Sequence, residues 1–404
     1  MGDNYRVVLS VPGKYHAFAI ASSLEKMGIL YKFITTLFIP YSFAKKNFLP
    51  QNIKKRFLSR TEEQIDAKKV IPLVIPYILG KFGKYSKNLG FYRLCVSFDT
   101  LATLVLKSFY RNFQIIHGWD SSTYMQFKNF TNTKKVLELV QSLPEIQYEA
   151  LKFELKRWKI HGEPNYYWPS LARDLPTRRM RELEMADVVI VPSSFLAQQL
   201  KQLGMYEKVE INPYYSAVRP KDTICEKINN KKFTVLNIAP ITLLKGTLYL
   251  LEACKIAKRK IHNLELIIVG KLDERLKPII SKIDFEFKHF NYIPHIVIDN
   301  IYDNADIYVM SSLAEGSSLT IYEAMARGLP TIATQESGSI IEHEVNGLIV
   351  PARDSVSLAQ AIIRLCEDNI LRYTLGANAC NTIKQGYTVD HYERRVQQIY
   401  SSVL

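Results

Sequence analysis

Residues 306–334 read DIYVMSSLAEGSSLTIYEAMARGLPTIAT, and this stretch decides the fold. Asp306–Met310 is a short apolar run with strand character, and Ser311–Ser318 is a loop of small polar residues. Leu319–Arg327 holds strong helix formers, Gly328 suits the left-handed cap that ends a helix, and Pro330 blocks its continuation. A strand, a loop, a helix and a second strand in that order imply a parallel sheet covered by helices. The loop Gly316-Ser317-Ser318 then stands at a helix N-terminus, where backbone N–H groups and the helix dipole favour a phosphate. Glu315 and Glu323 frame it. A carboxylate near a helix start is a common structural device, but two of them around an anion-binding loop also suit a phosphate ligand flanked by sugar hydroxyls.

The alternation extends outward in both directions. Upstream, Arg6–Val11, Tyr31–Thr36, Ile115–Trp119, Lys135–Val140 and Asp187–Pro192 read as short strands. Ala17, Ile20, Leu24 and Met27 share one helical face after the first of them, and Gly28 is the stop. In the second half the strands are Thr234–Ile238, Leu264–Val269, Asp306–Met310, Pro330–Ala333 and Leu348–Val350, with helices over Thr247–Lys258 and Ser357–Glu367. At 404 residues the chain exceeds one comfortable core. The polar stretch Arg219–Lys232 divides it into residues 1–218 and 233–386, leaving residues 387–404, where Tyr392, Val396, Ile399 and Tyr400 have helical spacing. Two open α/β sheets joined by one linker form a cleft and bind ligands at the carboxyl ends of their strands.

The formal charge is +14, and the excess is uneven: residues 40–112 carry 14 Lys and Arg against 4 Asp and Glu. Lys45-Lys46, Lys54-Lys55-Arg56 and Lys81, Lys84 and Lys87 interleave with Phe43, Phe48, Phe57, Phe82 and Tyr85. Such a region fits an anionic membrane surface, a phosphate-bearing acceptor or a merely solvated face. Nucleic acid is the weakest reading, because no RNA- or DNA-binding motif accompanies the charge. The most apolar run, Val70–Gly80, is too short to span a bilayer and holds two prolines. No apolar signal region precedes the first strand, and the five scattered cysteines form no C-x-x-C pair, so a reducing cytosol is expected, with peripheral attachment to the inner face of a membrane as an option.

The motif set resembles glycosyltransferase family 4, the retaining GT-B enzymes. Glu315 and Glu323 have its Glu-x7-Glu spacing within EGSSLTIYEAMARGLPTIAT; Lys245-Gly246 resembles its Lys-Gly helix start; and Asn346-Gly347-Leu348 with Pro351 resembles the block that comes after. The resemblance is dense from about residue 180 onward. It implies two Rossmann-like domains facing each other across a cleft, with a last helix returning to the first domain. It also implies sugar transfer from a nucleotide-sugar substrate to a glycan or lipid-linked acceptor, with retention and without a cofactor. By the same resemblance, Lys245, Glu315 and His117 would be the catalytic group, with Glu315 on donor-sugar hydroxyls and Lys245 neutralising the leaving diphosphate. Gly13, Gly316, Ser317, Ser318, Leu319, Glu323, Tyr292 and Ile293 would bind the donor, Glu323 through the ribose and Tyr292-Ile293 near the base.

This chain departs from the family pattern in three places. No arginine stands about five residues before Lys245, so Lys14 and Lys271 are candidates for further diphosphate contacts. The usual Gly-Gly of the first loop is Gly13 alone, and the usual His-x-His is His117-Gly-Trp119. His117 and His16 each have two readings, a ligand contact or a local hydrogen bond. No Asp-x-Asp motif is present to hold a divalent ion, so no metal is expected. Two other classes fit the same residues: a GT-B nucleotide-sugar epimerase, which consumes donor alone, and a non-catalytic binder, which turns over nothing.

Overall fold

The computed structural model describes residues 5–13, 16–44, 62–81, 87–167, 174–224 and 232–403. Two all-parallel sheets organise them. The first contains β1 (Val7–Val11), β2 (Leu30–Thr35), β3 (Val70–Pro72), β4 (Ile115–Trp119), β5 (Lys134–Glu138), β6 (Val188–Val191) and β7 (Val209–Ile211). Its order is β3-β2-β1-β4-β5-β6-β7. The second contains β8 (Phe233–Ile238), β9 (Leu264–Val269), β10 (Lys288–Phe290), β11 (Ile307–Met310), β12 (Thr331–Thr334) and β13 (Leu348–Val350), in the order β10-β9-β8-β11-β12-β13. In both sheets the strand order reverses beside the first strand, at β1/β4 and at β8/β11. Crevices that accept ligands open at such reversals.

Every residue of β1, β4 and β11 is buried, as strands covered by helices on both faces require. Five helices position the functional side chains and join the domains. Helix α1 (Ala17–Lys26) comes after β1, and α2 (Pro144–Arg157) lies between β5 and β6. Helices α3 (Thr247–Lys258) and α4 (Leu319–Ala326) come after β8 and β11, and α5 (Val389–Val403) is the last element. Helix α5 buries Tyr392, Val396, Ile399, Tyr400 and Val403, spacings of three and four that make one apolar face. It returns to the first domain: Ser23 Oγ donates to the Glu393 carbonyl at 3.0 Å, and Lys26 Nζ meets Glu393 Oε2 at 2.5 Å.

Helix α2 is placed by chain order in the first domain but packs on the second. Its Ala150, Leu151 and Leu155 join a core formed with Leu248, Leu251 and Ile362. Glu154, fully buried at this contact, accepts from Arg353 Nε at 2.7 Å, Tyr249 Oη at 2.9 Å and Trp158 Nε1 at 3.0 Å. A carboxylate can be buried only with such partners, so two of the three bonds tie the domains together.

The expected α/β architecture is the observed one. All ten expected strands exist, within two residues at each end, and β3, β7 and β10 are additional. The run Val70–Gly80 is divided between β3 and a helix over Val74–Lys81. Among the described residues no helix is long and apolar enough to cross a membrane. The basic clusters at residues 45–46 and 54–56 and the residues Phe48, Phe57, Phe82, Lys84 and Tyr85 lie outside the described residues, as do the side chains of Lys81 and Lys87.

Candidate active site

β8 and β11 end side by side, and the loops leaving them meet. Gly246, which precedes α3, has φ +63°, and a Cβ there would stand 1.9 Å from the Ser311 carbonyl oxygen. Only glycine accepts both that conformation and that approach. Leu313 N donates to the Leu244 carbonyl at 2.8 Å and fastens the two loops. The result brings Lys245 Nζ into an ion pair with Glu315, each side chain about one-fifth exposed. Burial lowers the Lys245 ammonium to about 8, and the adjacent carboxylate favours the charged form.

The loop from Glu315 to Ser318 lies against the first domain. Ser142 Oγ donates to the Glu315 carbonyl at 3.0 Å and Ser193 Oγ to the Gly316 carbonyl at 2.6 Å. A Cβ on Gly316 would come within 1.8 Å of the Val140 carbonyl oxygen, so glycine is the residue that lets the domains close here. Among the described residues no acceptor takes up the backbone N–H of Gly316, Ser317, Ser318 or Leu319. These amides stand at the start of α4, whose dipole adds to their attraction for an anion.

Glu323, in the second turn of α4 and 9% exposed, accepts from Tyr302 Oη at 2.7 Å. Burial first, and then this carboxylate, push the Tyr302 hydroxyl well above its usual pKa, so it stays a donor. Tyr308 Oη shares a hydrogen bond with Thr320 Oγ1 at 2.6 Å and fixes the first turn of α4 against β11.

The remaining candidates are more scattered. Gly13 stands just beyond β1, and Thr36 Oγ1 donates to the neighbouring Pro12 carbonyl at 2.8 Å; Lys14 lies outside the described residues. Lys271 is exposed after β9, its carbonyl accepting from Ile241 N at 3.0 Å. Tyr292 and Ile293 come after β10, Tyr292 exposed and Ile293 packed on the core.

His117 lies inside the first domain. Its side chain is fully buried, with Nδ1 2.7 Å from Tyr400 Oη of α5 and Nε2 3.6 Å from Glu138 Oε1. The other Glu138 oxygen lies 3.1 Å from His16 Nε2. Burial would raise the Glu138 carboxyl, but the charge and hydrogen bond of His16, together with the neighbouring His117, outweigh it and bring it down to about 2. The His117 side chain belongs to a buried polar cluster that ties β4, β5, α1 and α5 together. The local hydrogen bond is therefore the reading that fits.

Sequence reasoning missed Tyr302, Glu138, Ser142 and Ser193. Glu138 had a signal, a lone acid inside the apolar run VLELV. Ser193 stands in the Pro192-Ser193 pair that ends the first-domain block, whereas Ser142 had no signal, acting through one hydroxyl aimed at a distant backbone carbonyl. Together the site offers one ammonium, unpaired amides for an anion and two carboxylates for hydroxyl groups, a set suited to a phosphorylated sugar.

Residues 219–382 match the family described as glycosyl transferases group 1. Amylovoran biosynthesis glycosyltransferase AmsK of Erwinia amylovora is 34% identical over 159 residues, 36% of this chain and 39% of the relative. UDP-Gal:alpha-D-GlcNAc-diphosphoundecaprenol alpha-1,3-galactosyltransferase of Escherichia coli is 25% identical over 254 residues, 58% of this chain and 63% of the relative. The chain thus spans less than two thirds of the length of either. The structure of Anabaena HepE in complex with UDP superposes with a TM-score of 0.63 at 14% identity, covering 98% of this chain and 100% of that one. That likeness establishes the shared two-domain GT-B fold.

Proposed function

We propose, for a chain whose residues 219–382 match the glycosyl transferases group 1 family, that it moves a sugar from a nucleoside diphosphate donor onto a glycan or lipid-linked acceptor, without a metal and with retention at the anomeric carbon. The observation that carries this reading is the Lys245–Glu315 pair at the mouth of the amide-bearing loop. A diphosphate seated on the amides of residues 316–319 draws the Lys245 ammonium away from Glu315. That exchange frees the Glu315 carboxylate to accept hydroxyl groups of the donor sugar, while Glu323 accepts those of the ribose. As the bond from the anomeric carbon to the phosphate oxygen breaks, its electron pair passes to the diphosphate, where Lys245 and the amides stabilise the charge. The acceptor oxygen bonds to the anomeric carbon on the same face, and its proton passes to the departing phosphate oxygen. No carboxylate of the site is placed as a nucleophile, so a covalent glycosyl intermediate is not invoked.

The printed names of the relatives support the substrate class: one acts in amylovoran biosynthesis, and the other uses UDP-Gal with a diphosphoundecaprenol-linked acceptor. A lipid-linked acceptor would place the enzyme at a membrane surface, and the helix over Val74–Lys81 exposes Ile75 by 60% and Ile78 by 44%.

The test is a thermal-shift series with UDP-, GDP- and ADP-sugars. A donor at 100 times its dissociation constant adds ~2.7 kcal/mol of stability. One base should shift the melting temperature clearly above the others, and the Glu323→Ala variant should lose that shift. No shift with any nucleotide-sugar sinks the proposal, and rapid conversion of donor alone points to an epimerase instead.

A further inference from the structure

A second site lies away from the cleft, on the outer side of α3. A groove of about 780 Å³ runs between α3, the helix over Lys277–Ile283 and the segment just beyond α2. Its floor is apolar, formed by Trp158, Ile160, Ile256, Pro278, Ile279 and Ile283. Its rim carries Arg157, Lys159, Lys255, Arg259, Arg275 and Lys282 against the single carboxylate of Glu252.

Half of the cations are engaged locally. Arg157 lies 4.0 Å from Glu252 and over the Trp158 ring at 5.4 Å; Lys255 donates to the Ile283 carbonyl at 2.6 Å; and Arg275 pairs with Asp273 at 2.5 Å. The other three differ: among the described residues no carboxylate lies within ion-pair distance of Lys159, Arg259 or Lys282, and all three are exposed. Glu252 is itself engaged, accepting from Ser355 Oγ at 2.8 Å. Trp158 is held in place by its bond to Glu154 and by the Tyr249 ring at 5.5 Å, so the floor is preformed and spans the junction between the domains.

A solubilising surface has no reason to combine concentrated positive charge with an apolar trough. Charge complementarity calls for an anion, and the floor calls for hydrocarbon attached to it. We propose that this groove binds an anionic lipid, with one acyl chain along Ile256, Ile279 and Ile283 and the phosphate against Arg259, Lys282 and Lys159. The groove is separate from the Lys245–Glu315 site and does not depend on the transfer reaction.

The test is calorimetric titration of the full chain with dihexanoyl phosphatidylglycerol below its micellar concentration. Dihexanoyl phosphatidylcholine, glycerol phosphate and a short single-stranded oligonucleotide are the controls. The anionic lipid should bind at least tenfold more tightly than each control. The variant R259E/K282E, both exposed positions, should keep the wild-type melting temperature and lose at least tenfold in affinity for that lipid. Glycerol phosphate binding as tightly as the lipid would make this a phosphate site and overturn the proposal. Tighter binding of the oligonucleotide, unchanged lipid affinity in the variant, or no lipid binding would overturn it as well.

Discussion

Gly316→Ala is the most informative single substitution in the molecule. The new methyl carbon would stand 1.8 Å from the Val140 carbonyl oxygen and 2.6 Å from its carbon, whereas ordinary contact begins near 3.4 Å. Both obstacles are backbone, so no rotamer relieves them, and either the loop retreats or the domains part by roughly 1.6 Å. Gly316 has no left-handed conformation to defend, so the effect is the clash alone. The retreat weakens the bonds from Ser193 and Ser142, each worth ~0.5–1.5 kcal/mol, and so lowers stability by about 1–3 kcal/mol. It also moves Glu315 and the anion-binding amides relative to the first domain. Displacement on the order of 1 Å costs about 10²-fold in rate when reacting groups are held in place. The expected result is a fall in kcat/KM of about 10²-fold with nucleotide affinity changed only a few-fold, because Glu323 and Tyr302 lie wholly in the second domain. Steady-state kinetics, calorimetry with free nucleotide and a melting curve read the three quantities. Wild-type turnover with an unchanged melting temperature would refute the reasoning.

Other perturbations separate the remaining roles. Glu323→Ala should weaken free nucleotide binding by ~1.5–3 kcal/mol, roughly 10- to 100-fold, whereas Glu315→Ala should depress turnover more than nucleotide affinity. Lys245→Ala should lower turnover by about 10²–10³-fold. Because burial lowers the Lys245 ammonium to about 8 and the proposed mechanism uses its charged form, kcat/KM should decline as pH rises through that value. A profile flat to pH 10 would show that Lys245 keeps its proton or is not needed. Glu138 has a folded-state pKa near 2 against an ordinary 4.5, so its stabilisation is complete above 4.5 and is lost as pH falls toward 2. Glu138→Gln should flatten the acid-denaturation curve in that window; an identical curve would count against the cluster. Vesicle flotation should show binding to anionic bilayers at low salt that weakens near ~0.5 M and falls in I75D/I78D; absence of binding leaves the solvated-face reading.

The sequence was most readable where burial is two-sided. Strands such as Leu264–Val269 (LELIIV) and Ile115–Trp119 (IIHGW) are mainly apolar over five or six residues, and their limits could be drawn to the residue. β3, β7 and β10 each lie at a sheet edge and are three residues long; VEI and KHF carry too little apolar signal to separate them from loop, and VIP is submerged in the longer apolar run Val70–Gly80. The same contrast holds at the site. Lys245, Glu315 and Glu323 are carried by contiguous motifs, but the contact of Gly316 with Val140 joins residues from different domains and leaves no local trace. His117 shows the opposite limit: a histidine near a strand end gives the same sequence signal whether it faces a ligand or Tyr400.

The central claim is metal-free transfer with retention, driven by Lys245 and the amides of residues 316–319. The most direct measurement tracks the anomeric proton of the first-formed product by NMR, with the matched nucleotide-sugar, an acceptor and excess EDTA. The account predicts turnover undiminished by the chelator, a product with the donor's anomeric configuration, and loss of the signal with Lys245→Ala. An inverted product, or activity abolished by EDTA and restored by a divalent ion, would contradict it.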